Sequence, residues 1–159
     1  MDLKFPSLSA VVKGTLDTLK RFPLPMLSAI VGTCLCIYLV GMKFDEQKHY
    51  EHLWKIVMCS WLALNLFLAL GFFSERRNFN AAQKYLLHVF ALFLIAGYYF
   101  LLPEFRKMTL TDITRYALFT IGLHFLVAFS PFIAKGEING FWVFNKTLRI
   151  RFLLSTLYS

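Results

Sequence analysis

Four long apolar stretches, separated by short polar links, dominate the pattern of this 159-residue chain. The most uniform of them runs from Ile56 to Phe73 and contains neither a charged residue nor a proline. At a rise of 1.5 Å per residue, a helix of that length nearly crosses the roughly 30 Å hydrocarbon core of a bilayer. Backbone groups in lipid must bond within the protein, which a helix achieves. The pattern therefore predicts an all-α fold, a polytopic helical membrane bundle.

Four transmembrane helices are predicted within a domain at 24–134, and their bounds follow the apolar runs and flanking charges. The predicted spans are 24–42, 53–73, 85–102 and 112–134. Thr111 is the predicted N-cap of the fourth span, because its hydroxyl can accept a hydrogen bond from the first turn. In the first span, Ser28, Gly32 and Cys36 recur every four residues. Such a small-residue face lets another helix approach closely.

The N-terminal segment 1–23 is too polar to span a bilayer, yet its apolar residues recur every three or four positions. They are Leu8, Val11, Val12, Leu16, Leu19 and Phe22. This spacing predicts an amphipathic interfacial helix, and Ser7, just after Pro6, is its predicted N-cap. Two placements stay open: the helix lies flat on the membrane, or it packs on the cytoplasmic face of the protein itself.

The C-terminal segment 135–159 is rich in aromatic and basic residues. Lys146, Arg149 and Arg151, together with Trp142, are candidate contacts to anionic lipid head groups. The alternative is that they form the ordinary basic flank of a span. From Leu153 onward the residues resemble the first turns of a fifth span, so we expect the chain to be the N-terminal part of a longer protein.

The charge pattern bears on partners and orientation. A net charge of +8 would suggest nucleic acid in a soluble protein. Here the basic residues flank apolar runs, so we expect membrane lipids and other membrane helices or subunits as partners, and no nucleic acid. Of the 17 Lys and Arg residues, eleven fall on one side of the predicted topology and six on the other. This asymmetry predicts a cytoplasmic N-terminus.

Two polar side chains, Asn65 and His124, are predicted near the middle of the second and fourth spans. At similar depth they could share a hydrogen bond that pairs two helices. The functional alternative makes His124 a proton-transfer or ligand group, because imidazole gains and loses protons near neutral pH.

Other candidate chemistry is weaker. His49 and His52 stand three residues apart in the first polar link, where one helical turn would give a possible pair of metal ligands. Solvated loop residues are the simpler interpretation, and we predict no metal. The three cysteines, at 34, 36 and 59, lie inside apolar runs and are predicted to be packing residues. No phosphate-binding loop, zinc signature or dinucleotide motif occurs, so no cofactor is predicted.

Two stretches carry a family resemblance: GFWVFNKTLRIRFLLSTLYS at 140–159, and Phe5-Pro6-Ser7 followed by Arg21-Phe22-Pro23. They resemble the uncharacterised membrane proteins of the domain-of-unknown-function family 4153. The resemblance covers the whole chain and implies the N-terminal part of a multi-pass protein of the bacterial cytoplasmic (inner) membrane. It implies no known activity, cofactor or catalytic residue.

Three functions remain open from the sequence. The favoured one is a non-catalytic membrane subunit, anchor or scaffold. The second is part of a transporter or channel, for which Asn65 and His124 would supply polar lining. The third is a membrane enzyme acting on lipid-linked substrates, for which His49 and His52 are the available groups.

Overall fold

The computed structural model of the chain describes residues 8–43, 46–133, 140–143, 145–147 and 150. The described helices are α1 (Leu8–Arg21), α2 (Pro23–Val40), α3 (Glu51–Arg76), α4 (Ala81–Leu101) and α5 (Leu110–Phe129), with short 3-10 helices at Glu46–Tyr50, Phe105–Lys107 and Ser130–Phe132. The described residues contain no β-strand, and the predicted all-α fold is confirmed. By length and composition, α2, α3, α4 and α5 with its 3-10 extension could each cross a membrane.

Capping residues decide where two of these helices begin. Asn80 and Gln83 form a reciprocal capping box, in which the Gln83 amide donates to Asn80 Oδ1 at 2.8 Å. Therefore α4 begins at Ala81, four residues before the predicted span. The N-cap of α5 is Thr109, so the prediction of Thr111 was wrong. The reason is Asp112, whose carboxylate accepts a bond from the Thr109 amide at 3.0 Å and completes the box.

The central element of the bundle is α3, which packs against α2, α4 and α5. In its most apolar window 44% of the residues are buried, compared with 17% or less in the other three. Its buried residues include Leu62, Ala63 and Phe67, and Ala91 of α4 joins this core. The other helices surround α3 and turn most of their surface outward.

Close packing of α2 on α3 depends on Gly32. A Cβ atom at this position would lie 3.1 Å from Cβ of Ser60, closer than ordinary van der Waals contact. The predicted close helix approach is confirmed at Gly32, and the neighbour is α3. Ser28 and Cys36 of the same face line an open cavity of about 300 Å³ between the two helices. On the other side of α3, the hydroxyl of Tyr116 in α5 donates to the Met58 carbonyl at 3.1 Å.

The bundle has two ends, which we name after their ion pairs. At the Arg21 end, Arg21 of α1 donates to both carboxylate oxygens of Glu75 in α3, at 2.9 and 2.7 Å. At the Glu51 end, Arg106 Nε lies 3.3 Å from Glu51 Oε1.

The predicted α1 is helical, whereas its proposed N-cap Ser7 and the start of a fifth span at Leu153 lie outside the described residues.

Candidate functional site

The intramembrane polar pair does not form the expected hydrogen bond. Asn65 is buried in α3, and its Nδ2 donates to the Trp61 carbonyl at 3.0 Å. His124 is exposed on α5, and its Nδ1 donates to the Thr120 carbonyl at 2.9 Å. Each side chain bonds to the residue one turn earlier in its own helix and not to the other. The two approach each other only through Trp61, whose ring centroid lies 6.3 Å from that of His124.

The imidazole of His124 has a defined role for one of its nitrogens. A carbonyl oxygen only accepts hydrogen bonds, so the proton of this contact resides on Nδ1. In the neutral ring, Nε2 is then left as an acceptor on the outer face of α5. The local bond therefore accounts for one of the two ring nitrogens.

The same pattern recurs along the spans. Hydroxyl groups donate to the backbone carbonyl three or four residues earlier in the same helix, as do Ser28, Ser74, Thr114, Thr120 and Ser130. These bonds satisfy the five hydroxyl groups within their own helical segments. The hydroxyl of Tyr116 differs, because its bond crosses from α5 to α3.

The predicted head-group cluster is described only in part. Trp142 is 65% exposed and Lys146 is exposed, whereas Arg149 and Arg151 lie outside the described residues. The segment is held against the end of α5, because the Phe141 ring stacks on Phe129 with centroids 5.0 Å apart. Trp142 and Lys146 line the same open cavity of about 680 Å³.

The histidines of the first link are not brought into a metal site. His49 lies in the 3-10 helix Glu46–Tyr50, His52 lies in the first turn of α3, and both are exposed. Their predicted placement one turn apart on a single helix is thus interrupted where the 3-10 helix meets α3. Among the residues that the structure describes, no group of three or more His, Cys, Asp or Glu side chains could hold a metal ion.

A basic cavity at the Arg21 end was not predicted from the sequence. It has a volume of about 370 Å³ and is lined by the ends of α1 and α3 and the starts of α2 and α4. Its charged and imidazole groups are Lys20, Arg21, Glu75, Lys84 and His88. The sequence shows basic residues at the end of α1 and in the first turn of α4. Their convergence on one cavity depends on the folded bundle.

Local bonds order this cavity. His88 Nδ1 donates to the Lys84 carbonyl at 2.6 Å, and the imidazole stacks on Phe67 with centroids 6.0 Å apart. The hydrogen bond from Arg21 to Glu75, together with the carboxylate charge, raises the pKa of the Arg21 guanidinium. The cavity therefore contains a fixed ion pair beside the ammonium groups of Lys20 and Lys84.

An apolar groove between α2 and α4 continues from this cavity. It has a volume of about 450 Å³, and Leu24 and Phe67 line both spaces. The residues Cys59, Ser60 and Ala63 of α3 form its floor. These small side chains leave the groove open along the face of α3.

Comparison with known proteins adds no relative. No protein-family model matches the chain, and no curated protein or solved structure shows significant similarity to it.

Proposed function

We propose that this protein is a non-catalytic module of a bacterial inner membrane, a subunit, anchor or scaffold that acts through contacts with lipids and other membrane helices. The observation that carries the proposal is the outward apolar surface around α3. Only 6% of the apolar window of α4 is buried, and 11% of that of α2. Such surfaces can be covered only by lipid chains or by other helices.

The polar groups support this proposal over a transport path. A path would place side chains so that they bond to a passing solute or to one another across helices. Asn65 and His124 instead bond to their own helices. Such local bonds lower the cost of placing a polar residue in an apolar bundle.

The proposal has two further parts, which are membership of family 4153 and a cytoplasmic N-terminus. The family placement rests on the resemblance at 140–159 and near the N-terminus, and the orientation rests on the excess of Lys and Arg on one side. In this orientation the Arg21 end of the bundle faces the cytoplasm.

Complementation of a deletion strain tests the proposed role. We expect the double variant Asn65→Leu, His124→Ala to rescue the strain fully, because neither group acts on a solute. Gly32→Leu is the control and should fail, because it forces α2 away from α3. Failure of the double variant at normal folded level would contradict the proposal and favour a transporter or channel.

A further inference from the structure

The basic cavity at the Arg21 end contains more positive than negative charge. Its lining has three cations, Lys20, Arg21 and Lys84, and one carboxylate, Glu75. Arg21 binds both oxygens of that carboxylate. Among the described residues, Lys20 and Lys84 form no ion pair. Two ammonium groups are thus available in a cavity that adjoins an apolar groove.

The depth of this cavity corresponds to the bilayer interface. Lys20 precedes the start of α2 by one turn, and Lys84 lies in the first turn of α4. Both helices are long and apolar enough to enter the membrane from this end. A group that binds here would have its charged part level with phospholipid phosphates.

The adjoining groove has the dimensions of an acyl chain in one leaflet. Along α3 it extends from Phe67 to Ile56, about 16 Å at 1.5 Å rise per residue. Half of the hydrocarbon core of a bilayer is about 15 Å. The walls, which include Leu27 and Leu92, are apolar along this length.

The groove persists because of how the helices pack. Both α2 and α4 pack on α3, whereas they make little contact with each other. Ala63 and Cys59 of α3 are small and buried, so their side chains leave the space between α2 and α4 unfilled. In a membrane a hydrocarbon chain fits this space better than water does, because the lining is almost entirely apolar.

We propose that the cavity and groove together form a binding site for one anionic phospholipid. The phosphate lies between the ammonium groups of Lys20 and Lys84, and one acyl chain follows the groove past Leu24 and Phe67. His88, stacked on Phe67, forms the wall where the head group meets the chain. The site deepens the proposed function and rests on it only for the membrane setting.

Native mass spectrometry can test this site on the whole chain. The protein is released from vesicles with equal amounts of phosphatidylglycerol and phosphatidylcholine, and retained lipid is counted. We expect one phosphatidylglycerol to be retained preferentially. Lys20→Gln with Lys84→Gln should reduce that preference about tenfold, because each cation near the surface attracts anionic lipid.

Matched control variants distinguish a specific lipid site from a general attraction of the lipid to surface charge. Arg76→Gln with Arg77→Gln removes two charges at the same end outside the cavity lining and should leave the preference unchanged. Ala96→Phe fills the groove and should also abolish retention, whereas Gly97→Phe, beside it but outside the groove lining, should not. Circular dichroism establishes that each variant is folded.

Three results would overturn the proposal. They are equal retention of the two lipids by the unchanged protein, an equal loss in the Arg76 and Arg77 variant, and displacement of the lipid by inorganic phosphate alone. The last result would identify a site for free phosphate. Because retention is measured on purified protein, its failure is distinguishable from a failure of the complementation experiment.

Discussion

Asn65 and His124 show how single polar residues are accommodated in this bundle. Each donates to a carbonyl four residues earlier, at 3.0 and 2.9 Å. A polar group without a hydrogen bond in hydrocarbon costs roughly several kcal/mol of free energy. The bond within the helix therefore lowers the cost of placing each residue there. A residue that is satisfied in this way does not specify which helix lies next to it.

Replacing Asn65 by Leu should therefore change stability little. The variant loses one bond to the Trp61 carbonyl, and that carbonyl can keep its bond within the helix. We expect the free energy of unfolding to change by about 1 kcal/mol or less. Reversible unfolding in mixed micelles measures this, and a loss of about 3 kcal/mol would instead indicate a partner on another helix.

The loop between α4 and α5 contains a pair that can be followed by titration. Lys107 Nζ lies 2.7 Å from Glu104 Oε2, and this hydrogen bond with the ammonium charge lowers the pKa of Glu104. The stabilisation is present above the ordinary carboxyl pKa and is lost as the pH falls through the lowered one. Lys107→Ala should raise the Glu104 pKa toward its ordinary value in a carbon-detected NMR titration. An unchanged midpoint would contradict the pairing.

At the scale of elements, α3 supplies the contacts that the other helices lack. Helix α2 approaches it through Gly32, α5 bonds to it through Tyr116, and α4 adds Ala91 to its core. At the Glu51 end, Trp54 of α3 stacks on Phe105 with ring centroids 4.9 Å apart, which holds the α4–α5 loop. The arrangement of α2, α4 and α5 therefore depends on the contacts that each of them makes with α3.

Two glycines provide a matched test of this packing. Gly32→Leu places a side chain against Ser60, so we expect a loss of about 1–3 kcal/mol in the free energy of unfolding. Gly97→Leu adds the same atoms where no atom lies within 4 Å, and stability should stay the same or rise. The free energy of unfolding of the two variants is measured under identical conditions. Equal losses would show that α2 does not depend on this contact.

For the whole molecule, the proposed four-span topology places the Arg21 and Glu51 ends on opposite sides of a membrane. Arg77 follows α3 at the first end, and Lys107 lies in the loop at the second; both are exposed. A membrane-impermeant reagent should distinguish them in intact cells. The orientation proposed above assigns the Lys107 side to the exterior.

Cysteine labelling tests this orientation directly. In a variant that lacks Cys34, Cys36 and Cys59, we expect Lys107→Cys to react in intact cells and Arg77→Cys to react only after lysis. The reverse pattern would invert the topology. Reaction of both positions in intact cells would contradict the four-span arrangement.

Sequence reasoning reached the fold because the signal for a span is local. The run from Ile56 to Phe73 is apolar enough by itself to predict a helix. The start of α5 was misjudged because Thr109 and Thr111 are both plausible caps. Asp112 decides between them, because it lies three residues after Thr109 and completes a capping box with it. This spacing is visible in the sequence.

The basic cavity could not be predicted in the same way. Lys20 and Lys84 are far apart in the sequence, and only the arrangement of α1, α2 and α4 around the end of α3 brings them to one space. The Asn65–His124 bond failed for a related reason. Similar depth in the bilayer does not determine which way a side chain turns, and a carbonyl in the same helix was nearer.

The Arg21–Glu75 pair has a mechanical consequence for α1. The pair is largely exposed, so its contribution to the free energy of unfolding is small. Its geometry matters more, because two parallel bonds resist rotation about the break between α1 and α2 at Phe22. Phe22, the residue that follows α1, also packs against Gly71, so the junction of α1 and α2 contacts α3 at two points. Any force applied along α1 would therefore be transmitted to the end of α3.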